Sequence, residues 1–270
     1  MTRGKQYDAA AMLRCLLLAA LCLPVLAQAQ ARVAGKIELA EGFTRVEGKD
    51  QRSRRPAVGE AVHEGDTIAT ARQAEVHLRM ADGASIIVRE RTRITITAYV
   101  ADGGSEDRSL IDLAEGALRA ITGWIGKYNR DRYAVRTPLV TIGVRGTDHE
   151  PTHLLEGDPR GKPGSYDKVN DGRAVMLSTQ GSVEIPANKA AYLSLAGVPP
   201  QLLDAIPDFF KPGRYEQEFT ARARQVERAL DDLRKGRVDE LMKLKDGKLE
   251  LPKAPTREQL RRGLGDLFKR

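Results

Sequence analysis

Five side chains of metal-ligand type fall within nine residues of the 270-residue chain: Asp148, His149, Glu150, His153 and Glu156. Imidazoles and carboxylates are what divalent metals favour, and a metal-dependent hydrolase is the activity such a set would serve. Pro151 stands between the two histidines, so they are not a helical i, i+4 pair. The cluster therefore reads first as a polar loop at the end of a strand, and no metal is expected. Immediately upstream, Arg145-Gly146-Thr147 combines a two-pronged cation, a residue free to adopt strained backbone and a hydroxyl. One reading is a ligand contact. The preferred one is a buried ion pair pinning a strand to a loop, with Asp66 or Asp148 as its acid. Arg145, Thr147, Asp148 and His149 are the candidate binding residues.

Other chemistry is hard to find. There is no Gly-x-Ser-x-Gly elbow and no phosphate-binding glycine loop. His63 and His77 are single histidines, and His77 falls on the polar side of an alternating run. Trp124 and Tyr128 flank Lys127; stacking on sugar rings is one role, a plug over one end of the core the simpler one. No catalytic residue and no cofactor is expected, and the chain reads as a non-enzyme.

The elements that must position these residues fall into two textures. From Lys36 to about Leu195, short alternating runs are broken by Gly and Asp. Val76, Leu78 and Met80 alternate with polar residues, Asp82-Gly83 offers a turn, and Ile86 and Val88 return on the same face. The unit strand–turn–strand recurs as VHLRMADGASIIV, LIDLAEGALRAI and VMLSTQGSVEI. Such units bury their apolar faces only by stacking or curling over one another. Loops are expected at Lys49–Pro56, which is basic, at Ala101–Ser109, and over the long Gly157–Gly172 stretch. From Pro199 the texture changes. Pro199, Pro200, Pro207 and Pro212 mark a joint that carries no core. Phe219, Ala223, Val226, Leu230 and Leu233 then step at helical spacing, and Thr256 with Gln259 opens a last helix.

The N-terminus reads as a processing signal. Arg3, Lys5 and Arg14 precede an apolar run from Leu16 to Leu26, followed by Ala27-Gln28-Ala29. Eleven helical residues reach ~16 Å against a hydrocarbon core of ~30 Å, so cleavage after Ala29 is expected rather than a stable span. Cys15 and Cys22, the only cysteines, leave with that segment, which rules out disulfides and thiolate sites in the remainder. The net charge is +7; three basic residues and one acidic residue depart, leaving +5. That excess suits anionic envelope polymers. Nucleic acid is not expected, because no helix carries a basic stripe with interleaved aromatics.

These residues resemble the FecR-like domain family. GEAVHEGDTIATARQAEVHLRMADGASIIVRERTRITI carries its Gly65-Asp66 turn, Thr70 and the Asp82-Gly83-Ala84-Ser85 turn. LAEGALRAITG and YAVRTPLVTIGVRGT match its paired motifs through Leu113, Gly116, Arg119, Thr137-Pro138 and Val144-Arg145-Gly146-Thr147. The resemblance spans about Ala34 to Leu195. It implies a periplasmic, non-catalytic β domain used as an interaction or sensory module. Signalling members of the family also carry a cytoplasmic anti-sigma segment, for which the fifteen residues before the apolar run leave no room. After Thr147 the family continues with an apolar strand, whereas here Asp148-His149-Glu150-Pro151 follows.

The expected organisation is a signal peptide over 1–29, a FecR-like β domain over 34–195, a Pro-rich joint over 196–213 and a helical tail over 214–270. The expected fold is mainly β, with stacked or curled antiparallel sheets of solenoid-like character and a C-terminal α-helical tail. The expected partner is an envelope protein or an anionic envelope polymer in a periplasmic or secreted setting. Oligomeric state stays open, and a structural envelope component is a further alternative.

Overall fold

The computed structural model describes residues 31–213 and, beyond them, residues 215–217, 219–221, 224, 225, 228, 231 and 232. The expected signal peptide and its cleavage site lie outside the described residues, as does most of the expected tail. The fold is mainly β. The first half contains β1 (Val33–Glu41), β2 (Thr44–Glu47), β3 (Ser53–Arg54), β4 (Ala61–His63), β5 (Thr67–Thr70), β6 (Glu75–Met80), β7 (Ser85–Val88), β8 (Thr92–Val100) and β9 (Arg108–Ile121). A short helix α1 (Trp124–Tyr128) leads to β10 (Tyr133–Arg136), β11 (Thr141–Val144), β12 (Asp148–Leu154), β13 (Gly164–Asp171), β14 (Arg173–Ser178), β15 (Gly181–Pro186), β16 (Lys189–Ser194) and β17 (Gln201–Leu202).

Register divides these strands into two ladders that share β9. The first runs β17–β16–β13–β12–β9–β7–β6–β1–β4. The second runs β3–β2–β5–β8–β9–β10–β11–β14–β15. Strand β9 serves the second ladder up to Glu115 and the first from Gly116 on. Gly116 makes the change with φ of 92°, where a Cβ would stand 2.2 Å from Thr92 Oγ1. Only glycine fits both the dihedral and the space.

The inner faces meet in one core. Ile37, Leu78, Ile86, Ala120, His149 and Val169 align across the first ladder. Ile96, Ile111, Val135, Ile142, Met176 and Val183 align across the second. Apart from His149 and Val183, which packs from the rim, all belong to the same buried apolar cluster. Each such Ile or Leu withdrawn from water stabilises the fold by about 1.5–3 kcal/mol.

Several expectations need correction. The sheets are mixed, not purely antiparallel, because β10 runs parallel to β9. LIDLAEGALRAI is one strand bent at Gly116, not a hairpin. The presumed polar loop at Asp148 is strand β12, and the long loop before Gly172 contains β13 from Gly164 onward. His77 is buried, not solvated. The joint also contributes core: Phe210 is buried with Leu154, Tyr166 and Ala190, and Leu203 and Phe209 pack against that group. The last two differences share a cause. The described residues between 203 and 219 lie over the outer sides of β6, β7, β9, β12, β13 and β16, so these strands are covered on both sides and alternation no longer predicts exposure. Between residues 216 and 232, every residue that is described is helical.

Candidate functional site

The Arg145-Gly146-Thr147 turn connects β11 to β12, and its backbone is fixed from three sides. The Arg145 amide donates to the Arg173 carbonyl at 2.9 Å and the Gly146 amide to the Gly126 carbonyl at 3.1 Å. Thr147 is buried; its hydroxyl donates to the Arg173 carbonyl at 2.8 Å and accepts from the Arg145 amide at 3.1 Å. Its own amide donates to the Thr122 hydroxyl at 2.9 Å. Gly146 has φ of 61°, and a Cβ at neighbouring Gly172 would lie 2.2 Å from the Gly146 carbonyl oxygen. Thr137 works similarly one turn earlier, accepting from the Leu139 and Val140 amides and meeting the Ser165 hydroxyl at 2.7 Å.

The Arg145 side chain behaves otherwise. It is exposed, and neither expected acid pairs with it. Asp66 accepts from Arg54 Nη2 at 3.0 Å, and Asp148 accepts from Arg119 Nε at 2.9 Å and Nη2 at 2.6 Å. Arg119, named in the sequence motif but given no role there, is, like Arg79 on Glu38, a buried, two-pronged arginine. Burial disfavours its charge, yet the Asp148 and Glu216 carboxylates outweigh that and hold the guanidinium more firmly protonated than usual. Arg145 instead borders an open groove of about 510 Å³ on the outer face of the second ladder. Ala134, Gly143 and Val175 form its floor, and Arg130, Asp131, Arg173 and Glu184 complete the rim. Arg173 and Glu184 pair at 2.9 Å, which leaves Arg145 available to a partner. A second groove of about 550 Å³ lies between Phe43 and Arg45 of one hairpin arm and Ser53, Arg54 and Arg55 of the other.

Strand alternation separates the supposed metal ligands. Asp148 and Glu150 face outward, whereas His149 and His153 face the core, and exposed Glu156 follows the end of the strand. Among the described residues, no three His, Cys, Asp or Glu side chains converge as metal ligands would. The inward pair is built into polar chains. His149 Nδ1 lies 3.2 Å from Asp167 Oδ1, and its Nε2 lies 3.0 Å from the Tyr133 hydroxyl. Burial raises the Asp167 carboxyl against the opposing pull of His149, and burial with nearby Asp82 and Asp167 raises the Tyr133 phenol. His153 Nδ1 lies 2.9 Å from the Ser165 hydroxyl, and burial lowers its affinity for a proton.

The outward pair enters a closed ionic network. Glu150 accepts from Arg89 at 2.7 Å, Lys168 at 2.9 Å and Asn170 at 2.8 Å. Asn170 also donates to Asp148 at 3.1 Å. Glu216 closes the ring, paired with Arg89 at 3.2 Å and in direct contact with Arg119. Beside it Phe219 is buried against Ile87 and Ile121, with its ring centroid 5.4 Å from that of His77. Sequence reasoning missed this cluster. Arg119 and Glu216 are separated by 97 residues, and no local pattern announces a pair that distant.

Residues 66–158 match the family model described as FecR protein. Within those bounds the chain is similar to the FecR domain. The matched span of the FecR domain runs from β5 to just past β12 and includes Gly116, Arg119 and the Arg145-Gly146-Thr147 turn. Among solved structures, two crystal structures of a candidate anti-sigma factor from Parabacteroides distasonis are similar at 14% identity and a TM-score of 0.40. That likeness covers 51% of this chain and 58% of the other, so the chain spans a little over half of that protein's length. A cell surface anchoring domain is similar at 19% identity and a TM-score of 0.22, covering 23% of this chain and 82% of that one. No curated protein matches the chain.

Proposed function

We propose that the chain is a non-catalytic periplasmic module that binds a protein partner or an anionic envelope polymer through its FecR domain, in envelope sensing or signalling. The observation that carries this reading is the contrast within one motif. Gly146 and Thr147 are consumed by the turn, while Arg145 is held out by it, exposed on an open groove. A guanidinium on a rigid turn is well suited to a carboxylate or phosphate: it offers a two-pronged donor, and the backbone that presents it needs no further ordering. Thr147 supports the contact by fixing the turn, whereas Asp148 is taken up by Arg119 and His149 by Tyr133 and Asp167, away from the groove. The groove beside Phe43, with exposed Arg45 and Arg55, is the surface best suited to an anionic polymer.

The setting rests on the N-terminal signal and on the resemblance to the family, and the domain boundaries at 29, 195 and 213 belong to the same reading. So do the solenoid-like curl of the sheets and a helical tail beyond residue 214. Intact-mass measurement of the exported protein tests the setting, with Gln30 as the expected first residue. Binding is tested by affinity capture from envelope extracts with the wild-type and Arg145→Ala chains side by side. A partner retained by the first and lost by the second supports the reading; equal recovery removes Arg145 from the binding surface.

A further inference from the structure

The outer face of the first ladder is covered by the chain's own residues 203–219, and that cover is held in the manner of a ligand. Past Leu203, whose amide reaches the Ala190 carbonyl at 2.8 Å, the described part of the segment adds no rung to the ladder. Its attachments are side chains, together with one bond from Arg89 Nη1 to the Lys211 carbonyl at 2.7 Å. Glu216 enters a clasp formed by Arg89 and Arg119. Phe219, three residues on and so on the same helical face, fills the apolar trough of Ile87 and Ile121.

The clasp is assembled without the segment. Arg119 is fixed by Asp148, and Arg89 by Glu150, which also binds Lys168. Without Glu216, this hydrogen-bonded cluster holds three cations against two carboxylates, so an uncovered site one anion short remains for a carboxylate to fill. Recognition by side chains on one helical turn is portable: any helix presenting a carboxylate and an aromatic ring three residues later meets the same requirements.

From this geometry we infer that the Arg89–Arg119 clasp and the Ile87–Ile121 trough form a docking site for an acidic–aromatic helix of a protein partner. The described residues between 209 and 219, with Glu216 and Phe219 as anchors, occupy the site as an exchangeable internal ligand. The site lies on the opposite face from the Arg145 groove and goes beyond the function proposed above. Residues 204–208, between the last rung at Leu203 and this ligand, form the tether that lets it leave without unpicking the sheet.

The test uses the full chain and a fluorescent peptide with the sequence of residues 207–232. Fluorescence anisotropy is measured with the wild-type chain and with a Glu216→Gln/Phe219→Ala chain, whose own segment competes poorly. Relief of that competition tightens peptide binding by at least ~10-fold in the variant. A peptide carrying the same two substitutions binds the variant at least ~10-fold more weakly than the native peptide. Equal affinity of the two chains, or of the two peptides for the variant, overturns the inference. If the variant fails to melt cooperatively, hydrogen exchange of the wild-type chain decides. Amides of residues 209–219 are expected to exchange at least ~10-fold faster than those of β9. Matching protection would mean that the segment leaves only when the whole domain unfolds, and the inference would fall.

Discussion

The outer faces of the two ladders start from similar material and end differently. Each carries arginines, carboxylates and a few apolar side chains. On the second ladder they remain in water: Arg136 and Asp112 pair at 2.7 Å with both side chains some 40% exposed, and Arg173 and Glu184 pair at 56% each. On the first ladder the segment bearing Phe210, Glu216 and Phe219 lies across them, and the ionic groups become desolvated. Pairs of the first kind contribute little, about 0–1 kcal/mol each. In the second kind, loss of one member strands the others without water. Two arginines of one motif region therefore differ in kind: Arg119 is desolvated and paired, and Arg145 stands exposed.

The largest effect should come from Arg119→Ala. It leaves Asp148 without its cation and Glu216 with Arg89 alone, at a cost of ~3–5 kcal/mol in denaturant melts. Arg119→Lys keeps the charge but loses the two-pronged geometry, so its midpoint should lie between alanine and wild type. A midpoint for Arg119→Ala within error of wild type would erase the distinction between the faces. Next in size, Phe219→Ala removes the ring from the Ile87–Ile121 trough and should cost about 2–3 kcal/mol. A chain ending near Leu195 should bind a hydrophobic dye more strongly than the full chain, since Tyr166, Ile87 and Ile121 lose their cover.

Acid provides a third comparison, between the core and both faces. Burial lowers the His153 pKa below its ordinary 6.5, so the unfolded chain takes up the proton first. The stability that neutral His153 contributes is complete above about pH 6.5 and is lost as the pH falls through its folded value. His153→Gln should therefore flatten the loss of stability as the pH falls below 6.5, read from urea midpoints. An unchanged slope would show that other groups set it. The smallest effect belongs to Arg145→Ala, within ~0.5 kcal/mol of wild type, because its side chain stands in water. A loss as large as that of Arg119→Ala would return Arg145 to the structural role first expected of it.

Local features were legible in the sequence. The hairpins β6–β7 and β14–β15 follow from alternation around Asp82-Gly83 and Gln180-Gly181, and the Trp124 plug from an apolar cluster after a strand. The Arg145-Gly146-Thr147 turn was visible as a feature, though with the wrong destination for its arginine. Distant pairing was not legible. The acids for Arg119 come from β12 and from the segment after the prolines, and which acid an arginine meets is decided by the fold rather than by spacing. His77 was misjudged for the same reason: a strand records its own alternation, but not what will be laid over its outer side. In Asp148 to His153 the alternation was present, yet one proline and several charges made the run look like a loop.

Strand β9 also constrains how the molecule can be made. Residues 33–100 form two partial ladders that end at Ser85–Val88 in one and Thr92–Val100 in the other, and both wait for the same partner, Arg108–Ile121. Until residue 121 has been synthesised, a growing chain carries two unpaired strand edges at once, and such edges are where nascent chains join one another. One fourteen-residue strand then closes both. A chain stalled between residues 100 and 121 thus carries both edges open, and the bend at Gly116 lets one strand cover them together while passing its own free edge on to β12 and β10.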